Sequence, residues 1–400
     1  MAKRIVVAVT NDLLTDQRVD RSCCALREAG YEVTLVGRRL PESGALEARE
    51  YRCVRMRLLF RRSALFYAEY NLRLLLRMLL MRADAYYAND SDTLEGCYWA
   101  TRMRKKVLLY DAHELFPDVP ELLDKPRVRR VWQWVEKRCL PRVDAAFTVS
   151  QSVADEYKRR YGIEMTVVRN LPQGMEHDAC CMDNYLGKAE KAQSSILNTK
   201  LILYQGAVNV GRGVRELVDV MGRLPQCRLM VVGDGDLLEE LRDYAMGLPW
   251  AERIEMRGRV RPETLRRLTP SADLGVCLLE DKGKSYRSAL PNRIGDFVQA
   301  GVPMVATGFV EIRRLLELYN IGTTTEPCPP VKEGRAYEEY LDRLANTIGE
   351  TLNLWEAMAP EERRKRFDFA RRELCWEKEK KKLIERIDAI IDKKRRYEKN

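Results

Sequence analysis

A chain of 400 residues, 46% of them apolar, is too long for one hydrophobic core and too apolar to be disordered, so two globular domains are expected. Its 70 Lys and Arg against 60 Asp and Glu leave a net charge of +10, which admits nucleic acid, anionic lipid or an anionic small substrate and selects none of them. The excess is uneven, because residues 361–400 hold 16 basic against 10 acidic side chains, or +6, and the other 360 residues carry only +4. Eleven cysteines lack metal-type spacing and include the adjacent pairs Cys23-Cys24 and Cys180-Cys181, which fits reduced thiols in a cytosolic compartment. With His113 and His177 as the only histidines, a histidine zinc site is not expected. The apolar run Ile5–Val9 before Thr10-Asn11-Asp12 is too short for a secretory leader, and no uncharged run approaches the ~20 residues that span a bilayer.

In chain order, Arg4–Thr10 reads as a buried strand, Asp16–Ala29 as a helix closed by Gly30, and Tyr31–Gly37 as a second strand, a βαβ opening of the parallel, doubly wound kind. The loop after the first strand lacks the Gly-x-Gly-x-x-Gly pattern of dinucleotide binders. Further strands are expected at Cys53–Leu58, Ala85–Ala88, Lys106–Tyr110 and Ala145–Val149. Between the first two of these, Leu58–Arg82 reads as one helix with a wide apolar face and scattered arginines. A core-facing helix is the leading reading and a membrane-surface helix the minority one. The polar run Asp111–Leu122 follows an apolar strand, where α/β proteins keep their chemistry, and holds Asp111, His113, Glu114, Asp118 and Glu121.

Periodicity lapses over Gln173–Lys200, the expected linker. A second βα series then runs from strand Leu201–Tyr204 through a glycine-rich loop to helix Val214–Leu224. Strands at Arg228–Val232, near Arg253–Arg257 and at Leu274–Leu279 follow. Pro291 is placed for the first turn of a helix ending before Gly301, in which Ile294, Phe297 and Val298 face inward, and the loop Ser285–Leu290 delivers backbone NH groups to its N-terminus. An ordinary surface helix between two strands would look the same. Helices Tyr337–Leu354 and Glu361–Lys394 close the chain.

The motifs Y-Q-G-A-V-N-V-G-R-G-V (204–214), V-V-G-D-G-D-L-L-E-E-L (231–241), M-R-G-R-V (256–260), S-A-D-L-G-V (271–276) and A-L-P-N-R-I-G-D-F-V-Q-A-G-V-P-M-V-A (289–306) occur in an order and spacing that resemble the retaining family 4 glycosyltransferases of GT-B fold. In the first half, V-T-N-D-L-L-T-D-Q-R-V-D, A-N-D-S-D-T-L and D-A-H-E-L-F-P-D-V-P-E-L are similar to a bacterial, polysaccharide or lipopolysaccharide branch of that family. The resemblance implies an α/β chain of two Rossmann-like doubly wound domains facing across a cleft. Residues 1–175 would take the acceptor and 200–360 the nucleotide-sugar donor, with 176–199 as linker and 361–400 as a basic helix crossing back to the first domain.

It further implies donor contacts from Gly206, Asn209, Gly213, Gly233, Gly235, Arg259, Glu280, Ser288, Ala289, Leu290 and Asp296. Arg212 stands where the family usually has a phosphate-binding Lys, and Ala207 where it often has an Arg, so Arg293 or Arg287 would supply the missing cation. The family's two glutamates eight positions apart are here Ser288 and Asp296. Asp296 can still accept from ribose hydroxyls, whereas Ser288 cannot replace a carboxylate, and Glu280 or Asp281 is the substitute to look for. His113, Arg212 and Arg293 would be the catalytic groups, with Asp16, Arg18, Asp111 and Glu114 on the acceptor side.

The implied partners are a nucleotide-sugar donor and a glycan or lipid-linked glycan acceptor, with no cofactor, no metal and no nucleic acid. The implied location is cytoplasmic, with peripheral contact to the anionic inner face of the membrane as a variant. Two other readings stay open: a nucleotide-sugar 2-epimerase on the same fold, and a non-enzymatic binder of anionic polymer or membrane.

Overall fold

The computed structural model describes residues 2–14, 16–174 and 199–399. Most of the expected linker, 176–199, therefore lies outside the described residues. The chain forms two compact units, one from Met1–Asn170 with Lys378–Asn400 and the other from Leu171–Glu377.

In the first unit seven strands form one parallel sheet in the order β3-β2-β1-β4-β5-β6-β7. They are β1 (Arg4–Asp12), β2 (Glu32–Arg39), β3 (Arg52–Arg57), β4 (Ala85–Asn89), β5 (Val107–Ala112), β6 (Ala145–Thr148) and β7 (Met165–Val167). The central strands are apolar on both faces because helices cover both, as a parallel sheet requires. Val7 pairs with Leu35 on one side and Tyr87 on the other, and all three are buried. On one face Phe66, Tyr70, Leu74 and Met78 of helix Ser63–Leu80 join Leu94 and Cys97 of helix Ser91–Arg104 and Trp132, Val135 and Cys139 of helix Pro126–Cys139 in a single core.

The second unit holds six parallel strands in the order β10-β9-β8-β11-β12-β13. These are β8 (Lys200–Gln205), β9 (Cys227–Val232), β10 (Ile254–Gly258), β11 (Leu274–Cys277), β12 (Met304–Thr307) and β13 (Gly322–Thr325). Each sheet reverses its direction of winding once, between β1 and β4 in the first and between β8 and β11 in the second. Loops at the carboxyl ends of those four strands diverge there and leave a crevice.

Several elements differ from expectation. The helix expected over Leu58–Arg82 begins only at Ser63, since the Leu59 and Phe60 NH groups donate to the Glu69 carboxylate at 2.9 Å and hold 58–62 outside it. Strands β7 and β13, four residues or fewer and without alternation, were not anticipated. Pro291 lies at the cap of helix Asn292–Ala300 and not in its first turn. The strand at 106–110 runs on to Ala112, which places Asp111 inside the sheet.

The single helix expected over Glu361–Lys394 is two, Pro360–Glu373 and Trp376–Lys399, broken where Leu374 leaves helical geometry. The Trp376 NH donates to Pro172 O at 2.8 Å at the break. Phe367, Ala370 and Leu374 are buried in the second unit's core, while the later helix lies against the first unit. There Lys3 meets Asp388 and Asp392, and Arg169 meets the fully buried Glu379 at 3.1 Å.

Candidate active site

In the first unit the crevice is built where β1, β4 and β5 end. Arg18 projects from helix Gln17–Glu28, which starts there because the Asp16 carboxylate accepts the Val19 NH at 3.1 Å. Its buried guanidinium grips Asp111 twice, at 2.7 and 3.1 Å, and donates to Val168 O at 2.9 Å. One residue past β5, His113 sets Nδ1 3.1 Å from Asp90 and Nε2 3.5 Å from Asp111 Oδ2, and this buried Nε2 makes no hydrogen bond among the described residues.

Asp90 is held in a conformation costly for any residue but glycine, φ 58° and ψ 170°. Its NH donates to Asp111 O at 2.8 Å, and its carboxylate accepts the His113 NH at 2.8 Å. Burial opposes the imidazolium, but Asp90 and Asp111 outweigh it and hold the histidine's pKa up at about 9. Burial would raise the Asp111 pKa, yet Arg18 and His113 bring it well below the carboxylate range. Asp92 sits in the first turn of the next helix and accepts from Thr10 at 2.5 Å; burial and the neighbouring Asp90 push it up to about 7. At neutral pH His113 therefore carries its proton and can donate a hydrogen bond or stabilise negative charge, but cannot act as a base.

Glu114 is exposed. Asp118 is buried and paired with both Arg129 and Arg160. Asp90 and Asp92 are the site residues that sequence reasoning passed over. Their signal was present in Asn89-Asp90-Ser91-Asp92, a polar run straight after the apolar Ala85–Ala88.

In the second unit the loop after β8 is knitted to the loop after β9. Gly206 N donates to Val232 O at 2.9 Å, Val208 N to Asp234 O at 3.0 Å, and Asp236 N to the Asn209 side chain at 3.1 Å. Glycine is required at two points: a Cβ on Gly233 would lie 1.8 Å from Gly206 O, and one on Gly235 would lie 2.2 Å from Asn209 Oδ1. Gly213 (φ 70°) turns the chain into helix Val214–Val220 against Leu278.

Two arginines flank this loop. Arg293, 7% exposed, stacks on Tyr204 at 4.3 Å from the ring centre, with Nη2 3.0 Å from where a Gly206 Cβ would stand. Arg212 lies over the Tyr286 ring at 5.1 Å. Arg293 Nη1 and Arg212 Nε are both buried without a hydrogen-bond partner among the described residues. Asp296 is oriented by Gln205, whose amide donates at 3.0 Å while its oxygen accepts from Thr269 at 2.9 Å.

The remaining expected donor residues divide. Ser288 ends the short turn Lys284–Arg287, Ala289 N donates to Tyr286 O at 3.1 Å, and Leu290 packs partly against the core. Arg259 is exposed beyond β10. Arg287, the alternative second cation, is tied to Asp281 at 2.7 Å and is largely exposed. Glu280 pairs with Lys332 at 2.9 Å and Lys282 at 3.2 Å, and Lys332 also meets the buried Glu216 at 3.0 Å. No group of three His, Cys, Asp or Glu side chains gathers as a ligand set among the described residues.

Matches to known proteins agree with this layout. The Glycosyltransferase Family 4 model matches residues 17–178, and the Glycosyl transferases group 1 model matches residues 199–330. No curated protein matches the sequence. Among solved structures, sucrose-phosphate synthase from Thermosynechococcus elongatus superposes with a TM-score of 0.73 at 16% identity, over 98% of this chain and 99% of that one. Anabaena HepE in complex with UDP-glucose gives 0.69 at 15% identity over 96% and 99%. The lipopolysaccharide outer core galactosyltransferase WaaB gives 0.58 at 14% over 92% and 98%. Those likenesses establish the two-domain GT-B fold, and the two family models, one on each half, establish the rest: the chain belongs to the family 4-like, group 1 glycosyltransferases.

Proposed function

We propose that the protein transfers a sugar, with retention of anomeric configuration and without a metal, from a nucleotide diphosphate sugar to a hydroxyl of a glycan or lipid-linked glycan in bacterial cell-surface synthesis. The reading is carried by the pair of buried, unpartnered arginine nitrogens on Arg212 and Arg293 beside the glycine loop. Buried cationic donors without an anion are costly, and a diphosphate in this crevice would satisfy both. As the bond from the sugar C1 to the phosphate oxygen breaks, negative charge builds on the leaving phosphate, where fixed guanidinium groups stabilise it electrostatically. The acceptor oxygen bonds to C1 on the same face and its proton passes to the departing phosphate. His113, already protonated, serves the sugar as a donor and as a positive charge.

HepE and WaaB support the choice of donor class and of cell-surface glycan, respectively, by what their structures are named for. We place the reaction in the cytoplasm. A thermal-shift panel of nucleotide sugars, UDP-glucose included, identifies the donor, since a ligand at ~100 times its Kd adds ~2.7 kcal/mol to stability. NMR of the product then reads the anomeric configuration, and an inverted product contradicts retention. Turnover lost in EDTA and restored by magnesium or manganese contradicts the metal-free route. A donor converted at C2 without acceptor would identify an epimerase.

A further inference from the structure

Ser91, the first residue of helix Ser91–Arg104, is tied to a buried carboxylate that the transfer chemistry leaves unused. Its Oγ donates to Glu136 Oε1 at 2.6 Å. From helix Gln151–Tyr161, Tyr157 donates to the same oxygen at 3.0 Å and Tyr161 to Oε2 at 2.6 Å. Tyr110, on β5, lies 3.0 Å from Ser91 and 3.2 Å from Tyr157, hydroxyl to hydroxyl. Glu136, Ser91, Tyr110 and Tyr157 are all buried. Arg160, the cation whose field reaches Glu136, is spent on Asp118 and Glu156. A buried carboxylate held by hydroxyl groups is costly beside apolar packing, so its use must lie in what it holds.

What it holds is the residue after Asp90. An aspartate just before a helix ordinarily accepts NH groups of the first turn. Asp90 makes no such bond; at φ 58° its carboxylate turns instead to the His113 NH and ring. A conformation of that kind persists only where its surroundings fix it. Asn89 is fixed by Ala8 O at 3.0 Å, the Asp92 carbonyl by Asn71 at 2.8 Å, and Ser91, at the start of the helix, by Glu136. Freed of the Glu136 bond, Ser91 would let Asp90 relax toward the NH groups of its own helix and away from the histidine.

We propose that Glu136 is a positioning residue: through Ser91 it holds Asp90 in its strained turn, and through Asp90 it keeps His113 in place at the crevice. The charged groups around His113 are Asp90, Asp92, Asp111 and Arg18. Asp111 and Arg18 fix each other, and Asp92 is bonded to Thr10, which leaves Asp90 as the one that depends on Ser91. The effect on turnover rests on the transferase reading, whereas titration of the histidine needs neither donor nor acceptor, so the two can fail separately.

The test compares Ser91→Ala with Tyr161→Phe in the full chain, since each removes one 2.6 Å hydrogen bond from Glu136 and only the first leads to Asp90. Proton NMR follows the imidazole signal that His113→Gln removes. Its titration midpoint, about 9 in the parent, should fall toward the ordinary 6.5 in Ser91→Ala and stay in place in Tyr161→Phe. Glu136→Ala should lower the midpoint as Ser91→Ala does, and Glu136→Gln, which keeps an acceptor for Ser91, should bring it back. With donor and acceptor present, Ser91→Ala should lower kcat about tenfold while the donor KM stays nearly unchanged, and Tyr161→Phe should leave both. A parent midpoint in Ser91→Ala overturns the proposal. So does an equal fall in Tyr161→Phe, because any loosening around Glu136 would then serve. A midpoint lowered in Ser91→Ala with turnover unchanged would support the proposal and contradict the part His113 has in the transfer.

Discussion

The two crevices sit at equivalent places in similar sheets, yet their charges are settled in opposite ways. Around His113 the cations lie against carboxylates: Arg18 grips Asp111, and the imidazolium lies between Asp90 and Asp111, although its Nε2 is 3.5 Å from Asp111 and not hydrogen-bonded among the described residues. Around Gly206 the cations of Arg212 and Arg293 lie against aromatic rings and keep buried nitrogens unsatisfied. A closed ion-pair network is built to hold a geometry, and an open one to receive a charge. The fold places both at a switch point, so the difference must come from side chains: acidic residues after β4 and within β5, and glycines with arginines after β8 and β11.

The contrast can be broken most severely at Asp111. Asp111→Ala leaves Arg18 buried and unpaired, so unfolding should lose about 3–5 kcal/mol; a loss within ~0.5 kcal/mol in denaturant titration would show that the network holds nothing in place. His113→Ala should lower turnover by roughly ten- to a hundredfold, the worth of a charge-assisted hydrogen bond, while leaving donor-induced stabilisation intact. Loss of donor binding in that variant would erase the division of labour between the crevices.

Acidity sharpens the comparison further. His113 titrates near 9 when folded and near 6.5 when free, so its contribution to stability is complete below pH 6.5 and disappears as the pH rises through about 9. Asp92, raised to about 7, adds a loss between the ordinary carboxylate range and neutrality. Stability measured across pH 6.5 to 9 should therefore fall in the parent and flatten in His113→Gln. The smallest effect concerns the open network, where Ala207→Arg adds the cation that similar enzymes carry and should tighten donor binding by no more than about tenfold. A weakened affinity would mean that Arg293 already fills that space.

Much of the architecture was legible because parallel sheets leave long apolar runs, and Val6, Tyr86, Leu108 and Ala146 lie in such runs. Short edge strands such as β7 carry no such signal. The break at Leu374 was hidden for another reason: it is set by burial of Leu374 and Trp376 and by a bond to Pro172, contacts distant in sequence. At the site, the glycine loop, Arg212 and Arg293 were expected from the family resemblance, and the structure brings the three together. Asp90 was not, since its role rests on a strained backbone that brings it to His113 from 23 residues away. The pairings of Glu280 with Lys332 and of Arg287 with Asp281 likewise depend on folding and carry no signal in the sequence.

The central claim is that the loop around Gly206, with Arg212 and Arg293, binds the diphosphate of the donor. Calorimetry with the nucleotide sugar that the thermal-shift panel selects, on the parent chain and on Arg212→Ala, tests it directly. A charge-assisted hydrogen bond is worth about 1.5–3 kcal/mol, so the variant should bind roughly ten- to a few hundredfold more weakly while unfolding at an unchanged temperature. Parent affinity in Arg212→Ala would show that this loop does not hold the diphosphate and would contradict the account.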